Sequence, residues 1–322
     1  MDPDAARPAP GRRRVVRLAG LLVAAAAIAF CTEAIADQWP EVRHSLGAAR
    51  PGSLVLALAC SALSMAGLGA LWWRCLRLFG RPVRLPDALA WYFGGELGKY
   101  LPGGVWSVLG RAELARRDGG ISRGTSYGTT LISYGAMCAG SAFACGLLAA
   151  PTAADGRGLG WAWALLALIP LAVLLVHPVV LGRLLGFAHR VSRGRISLAP
   201  APWPAMLRLI AWSVPAWLLL GAAAAAVADA LGHDHDPARV AFAAIAAWII
   251  GFVAVPVPAG AGLRELMFVL TCGLPVAPAA TVAAIARLML VLVDGIAGLA
   301  GLLAVRRSVA PAARSEVVDG RG

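Results

Sequence analysis

Trp91-Tyr92-Phe93-Gly94-Gly95-Glu96-Leu97-Gly98-Lys99-Tyr100-Leu101-Pro102-Gly103-Gly104-Val105-Trp106-Ser107-Val108-Leu109-Gly110-Arg111 is the stretch on which the reading of the fold turns. It is apolar enough to enter a bilayer, yet it carries the only lysine of the chain and is interrupted by Pro102-Gly103-Gly104, which cannot continue a helix. Arg74, Arg77, Arg81 and Arg84 precede it, and Arg111, Arg116, Arg117 and Arg123 end and follow it. Short loops rich in arginine and lysine stay in the cytoplasm, so both flanks belong on the same side. A segment with both ends on one side has not crossed. Residues 87–109 therefore read as a re-entrant hairpin, whose irregular backbone must be wrapped by protein or line a polar cavity.

The remainder of the chain supports a membrane setting. Of 322 residues, 59% are hydrophobic and 14% charged, and the mean hydropathy is +0.74; soluble domains run near 45 to 50% and about 25%. Apolar windows at 15–36, 53–73, 125–149, 161–181, 205–228 and 279–305 each suffice to span, leaving no room for a separate soluble domain. The formal charge of +12 is spent on loop arginines that set topology, so nucleic acid is not an expected partner. Arg12, Arg13, Arg14 and Arg17 before the apolar run, with Ala34-Ile35-Ala36 at its end, imitate a secretory signal. The length of that run and the many spans behind it favour an uncleaved anchor.

Scored loop by loop, the tail 1–14 is cytoplasmic, the loop with Arg43 and Arg50 against Asp37 and Glu41 is outside, and 150–160 is outside. Residues 182–208, with Arg183, Arg190, Arg193, Arg195 and Arg208, are inside, and Asp229 to Arg239 is an acidic outer loop. The tail 306–322, with Arg306, Arg307, Arg314 and Arg321, returns to the cytoplasm. An odd number of crossings must then lie between Arg239 and Arg306. A second hairpin over 240–273 followed by the span 279–305 satisfies this, and three crossings satisfy it equally. The expected architecture is an all-α polytopic membrane protein with about six spanning helices and two re-entrant broken-helix hairpins. Its single transmembrane domain, 15–305, divides into halves 15–149 and 161–305 of opposite topology, a 3+3 inverted repeat of the kind that places a transport site at the interface of the halves.

The broken elements carry the chemistry. Charges at bilayer depth cost at least about 2.5 to 3.5 kcal/mol each, so Glu96 and Lys99, three apart, should pair on a helix. The helix that restarts near Val105 offers unpaired N–H groups to a phosphate, with Tyr100 and Trp106 beside it. The second break reads Val255-Pro256-Val257-Pro258-Ala259-Gly260-Ala261-Gly262-Leu263-Arg264-Glu265-Leu266. Arg264 suits a bidentate grip on phosphate, with Glu265 as its partner or as a proton carrier. Arg287 and Asp294, seven apart on the last span, share one helical face and should point inward. A purely structural set of intramembrane pairs is the competing reading of all these charges. Pro102, Gly103, Gly104, Pro256, Pro258, Gly260 and Gly262 are the expected hinge and backbone-contact positions. No cofactor motif is visible and no metal site is expected: His233-Asp234-His235-Asp236 reads as a solvated loop, and the six cysteines lack paired spacing.

Gly98-Lys99-Tyr100-Leu101-Pro102-Gly103-Gly104-Val105-Trp106 and Pro258-Ala259-Gly260-Ala261-Gly262-Leu263-Arg264-Glu265 resemble the two signature stretches of the lysylphosphatidylglycerol synthase transmembrane family, the flippase-like membrane domain of multiple peptide resistance factor proteins. The likeness in span pattern covers roughly 15–305. Where the family commonly has Pro-Gly-Gly in the second stretch, this chain has Pro258-Ala259-Gly260. The resemblance implies movement of phospholipid between leaflets, with aminoacyl transfer belonging to a separate soluble domain that is not read in these residues. The expectation is a standalone flippase-like protein of a bacterial-type inner membrane, both termini cytoplasmic, acting on a membrane lipid with an anionic head group. A second copy of the chain or an envelope-biosynthesis protein is the expected protein partner. No GxxxxGK[ST] motif supplies ATP. Lys99 and Arg264 are expected to hold the head-group phosphate, with Glu96 and Glu265 balancing them in its absence; the alternatives are a membrane-embedded lipid glycosyltransferase, for which no nucleotide-sugar site or cytoplasmic Asp-rich loop is visible, and a non-transporting scaffold of a cell-envelope complex, which should tolerate loss of both cations.

Overall fold

The computed structural model describes residues 39–100, 106–154, 179–180, 182–183, 186, 190, 201–253 and 262–319. The expected span 15–36, all of 161–181 except 179–180, the tail 1–14, and Pro102, Gly103, Gly104, Pro256, Pro258 and Gly260 lie outside them. The described residues are all-helical: α1 (Trp39–Ala48), α2 (Pro51–Leu78), α3 (Leu85–Glu96) followed by a 3-10 turn (Leu97–Tyr100), α4 (Trp106–Gly119), α5 (Arg123–Ala154), α6 (Trp203–Ala230), α7 (Pro237–Val253), α8 (Leu263–Thr271) and α9 (Val276–Asp319).

Four helical stretches are long and apolar enough to cross a membrane: Pro51–Leu78, Arg123–Ala149, Trp203–Ala230 and Val276–Val305. They fall on four of the six windows read from hydropathy. At 1.5 Å per residue each exceeds the roughly 30 Å of a hydrocarbon core. Beyond its span, α9 continues as helix to Asp319, through most of the stretch expected as a tail.

α2 and α6 are matched in detail. Each has 28 residues and a proline in its first turn. Each also ends in the same glycine motif. The Gly80 N–H donates to Arg77 O and the Arg81 N–H to Leu76 O; the Gly232 N–H donates to Asp229 O and the His233 N–H to Ala228 O. These are Schellman caps, which require a positive φ at the residue after the cap, and Gly80 (78°) and Gly232 (74°) supply it without a Cβ penalty. The two helices pack antiparallel: the Arg50 N–H at the start of α2 donates to Ala230 O at the end of α6, and Gly67 faces Ala216 midway. Small residues at that crossing let the backbones approach, the usual source of helix association where lipid leaves no hydrophobic drive.

Each broken element folds back on itself. At Gly95 an added Cβ would lie 2.7 Å from Arg111 N, and at Gly98 2.6 Å from Trp106 C, so α3 and α4 run antiparallel in near backbone contact. α7 and α8 do the same, with Arg239 Nε donating to Thr271 O at their outer ends. At 12 and 14 residues, α3 and α4 are each too short to cross alone.

The packing is also reciprocal. α3 lies on α9 while α7 lies on α5; α2 likewise touches α9 and α6 touches α5. Exchanging α2 with α6, α3 with α7, α4 with α8 and α5 with α9 thus reproduces the principal neighbours. In the loop between α6 and α7, Asp236 caps α7 through Ala238 N–H (2.9 Å) and Arg239 N–H (3.3 Å). That accounts for one member of the His233–Asp236 run as a helix cap.

Candidate functional site

The hairpin α3–α4 delivers its charges to the core as a chain. Arg111 Nη2 donates to Glu96 Oε1 at 2.6 Å, Lys99 Nζ bonds Glu96 Oε2 at 3.2 Å and Asp294 Oδ2 at 2.7 Å, and the Tyr100 hydroxyl donates to the same Asp294 oxygen at 2.6 Å. Arg111 and Asp294 are fully buried. Two cations and two carboxylates make the chain neutral, the condition for keeping charge inside a membrane protein. It also ties α9 to the first hairpin, because Asp294 belongs to α9 and the other members to α3, the 3-10 turn and α4. Asp294 lies about 5 Å from the middle of the span Val276–Val305. Arg111 is further enclosed by the rings of Trp72, Tyr92 and Tyr134, centred 5.1, 4.2 and 5.7 Å away.

The hairpin α7–α8 delivers a different arrangement. Gly262, with φ 82°, opens α8, and its N–H donates to Glu265 Oε2 at 2.7 Å. The other carboxylate oxygen of Glu265 receives Arg287 of α9. Arg264 has no carboxylate within salt-bridge distance among the described residues; its guanidinium lies 5.9 Å from the Trp248 ring. Two cations and one carboxylate therefore leave one positive charge over. Arg264, Glu265 and Arg287 line a half-open cavity of about 60 Å³ bordered by Ser61 of α2 and by α6, α7, α8 and α9. That is space for a few waters or one small anion.

An aromatic ladder joins the two charge centres. Trp248 stacks on Phe252 (5.3 Å between centroids), and Phe252 meets Tyr134 edge-on (5.2 Å), the ring that also faces Arg111. Arg264 is within electrostatic reach of Tyr100 and Asp294.

Several readings change in detail. Glu265 pairs with Arg287, not with its neighbour Arg264, because adjacent helical residues point about 100° apart. Arg287 and Asp294 share the inward face of α9, but each meets a different hairpin. Trp106 is 43% exposed at the start of α4, where its backbone meets Gly98. Arg111, counted by charge as a cytoplasmic loop residue, is instead the anchor of the first network. A signal for it was present: Ser107, Arg111 and Ala115 recur at four-residue spacing and form the buried stripe of α4, a line of small residues distinct from Glu113, Arg116 and Arg117.

No curated protein matches the chain. The family model described as "Lysylphosphatidylglycerol synthase TM region" matches residues 17–298, taking in both hairpins and both charge centres. The chain is therefore a member of the lysylphosphatidylglycerol synthase transmembrane-region family, an integral membrane protein of a family linked to lipid modification or translocation.

Proposed function

We propose that the protein translocates an anionic phospholipid or lipid-linked intermediate across a bacterial cytoplasmic membrane, holding the head-group phosphate at Arg264. The observation that carries this reading is the surplus charge at the cavity. Arg111, Lys99 and Arg287 each have a carboxylate and Arg74 is covered by the Trp212 ring at 3.5 Å, whereas Arg264, at the cavity, has no carboxylate within salt-bridge distance among the described residues. A guanidinium near the middle of a membrane domain without a counter-ion is costly unless a ligand supplies the negative charge. A phosphodiester supplies it with bidentate geometry.

The fold-back of both broken elements and their reciprocal packing support re-entrant hairpins in two inverted halves, the arrangement expected around a midplane transport site. In this reading Glu265 holds Arg287 and the α8 N-terminus in place while Arg264 exchanges lipid. The neutral chain through Lys99 and Asp294 is then the fixed joint between halves, and the Pro and Gly positions beside it are the hinges. Both termini face the cytoplasm.

The test is leaflet exchange of a fluorescent phosphatidylglycerol in proteoliposomes. Wild type should accelerate it over empty vesicles, and Arg264→Gln should abolish the acceleration with an unchanged unfolding midpoint. Equal activity of the two proteins removes Arg264 as the phosphate ligand. No acceleration by wild type with any anionic lipid offered favours the scaffold.

A further inference from the structure

Two residues beyond buried Arg111, α4 presents a different face. Glu113 receives Arg116 at 2.8 Å, Arg117 at 2.6 Å and Arg123 at 2.7 Å, so three guanidiniums converge on one carboxylate. The arginine side chains are 42%, 67% and 56% exposed. The other acid of α4, Asp118, is taken by the Trp91 indole N–H at 2.7 Å. The cluster keeps two positive charges in excess of its one carboxylate. Exposed ion pairs add little stability individually; what matters here is that the side chains already assemble around an oxyanion.

Its position follows from two helix faces. On α4, exposed Trp106 and Leu109 precede Glu113 and Arg116 along one face; on α5, Arg123 leads to Tyr127 and to exposed Leu131 at four-residue spacing. Both faces pass from apolar to charged within about 10 Å, at the same end of the pair. With α5 long and apolar enough to span from Arg123 onward, this change of character places the edge of the hydrocarbon between Leu109 and Glu113 in our reading, with the arginines at head-group level. Leu109, Glu113, Arg123, Gly124 and Tyr127 line a groove between the two helices. Its apolar wall continues directly into the cationic mouth.

We infer that Arg116, Arg117 and Arg123 form an interfacial binding site for the phosphate of an anionic phospholipid, whose acyl chain follows the Leu109–Tyr127 groove. Glu113 is the internal carboxylate that holds the three arginines together and yields to the lipid. A free phosphate would find the same guanidiniums but has no use for the apolar wall. The site is separate from Arg264, and its existence does not depend on translocation.

The experiment is native mass spectrometry of the protein purified in mixed micelles of phosphatidylglycerol and phosphatidylcholine. Wild type should retain phosphatidylglycerol selectively. Each surface arginine near an anionic lipid is worth about a factor of five in affinity, so Arg116→Gln, Arg117→Gln, Arg123→Gln together should lower the bound fraction at least about tenfold. Arg117→Gln alone, at the most exposed position, should lower it about fivefold and guards against misfolding of the triple variant. Glu113→Gln, which removes the competing carboxylate, should raise it. Because a lipid held at Arg264 would add to the count, the comparison is repeated on an Arg264→Gln background, where the triple variant should lower phosphatidylglycerol retention by the same factor. Raising salt several-fold should release the lipid, as exposed charges are screened. Equal retention of the two lipids by wild type, undiminished retention by the triple variant on the Arg264→Gln background, loss of all selective retention in Arg264→Gln alone, or displacement by millimolar glycerol phosphate would each overturn the inference.

Discussion

Replacing Arg111 with methionine removes one of two cations from a buried chain that is neutral as built. Glu96 and Asp294 would then face Lys99 alone, at 3.2 and 2.7 Å. At an effective dielectric of roughly 20, the attraction lost at 2.6 Å is about 6 kcal/mol, and part of it is offset because the guanidinium no longer has to be desolvated. The net loss expected is about 3–5 kcal/mol, the range for removing one partner of a buried pair. Lost ring contacts with Trp72, Tyr92 and Tyr134 act in the same direction. The double variant Glu96→Gln, Arg111→Met leaves Lys99 and Asp294 balanced and should recover most of the loss. Thermal unfolding in a neutral detergent, followed by tryptophan fluorescence, measures both. Soluble chains of 150–250 residues move about 2–4 °C per kcal/mol, so the single variant should shift by an easily resolved amount. A single variant as stable as wild type, or a double variant less stable than the single, would refute the argument that charge balance holds this core together.

Other outcomes follow from the same geometry. Tyr100→Phe removes one hydrogen bond to the buried Asp294 carboxylate and should cost about 1.5–3 kcal/mol, read as a lower unfolding midpoint. Gly95→Val places a side chain where Arg111 N lies 2.7 Å from an added Cβ, so the hairpin must open; a loss of about 1–3 kcal/mol is expected, with faster hydrogen exchange across α3 and α4. Asp236→Ala removes the cap of α7 and should cost about 1 kcal/mol, with exchange accelerated in its first turn only. Glu113 is held below the ordinary carboxylate value of 4.5, first by the Arg116 hydrogen bond, against partial burial, and then by Arg123 and Arg117. A depressed folded pKa contributes stability above the unfolded value that is lost as pH falls through the folded one. In lipid-free detergent the midpoint difference between wild type and Glu113→Gln should therefore be constant from pH 7 to about 5 and shrink below about 4.5; a difference that grows on acidification contradicts the assignment.

Hydropathy and charge by themselves determined that this chain lives in a bilayer, where four of its long helices lie, and that two Pro/Gly-broken segments hold charges needing partners. Those conclusions rest on local quantities: apolar length against bilayer thickness, loop arginines against topology, and backbone groups that a proline or glycine leaves open. Lys99 and Glu96 were legible as a pair because three-residue spacing on a helix is a local fact. The rest was not local. Lys99 and Asp294 are 195 positions apart, and only the packing of α3 on α9 brings them together. Arg111 looked like a loop charge because loop scoring counts sign and sequence distance, whereas its burial follows from α4 folding back against Gly95. Which arginine keeps a counter-ion was decided by helical phase, since a turn of about 100° separates Arg264 from Glu265 and hands the carboxylate to Arg287. Pairing in a membrane interior is set by which helices meet and at what rotation, a property of the assembled bundle that residue order alone does not contain.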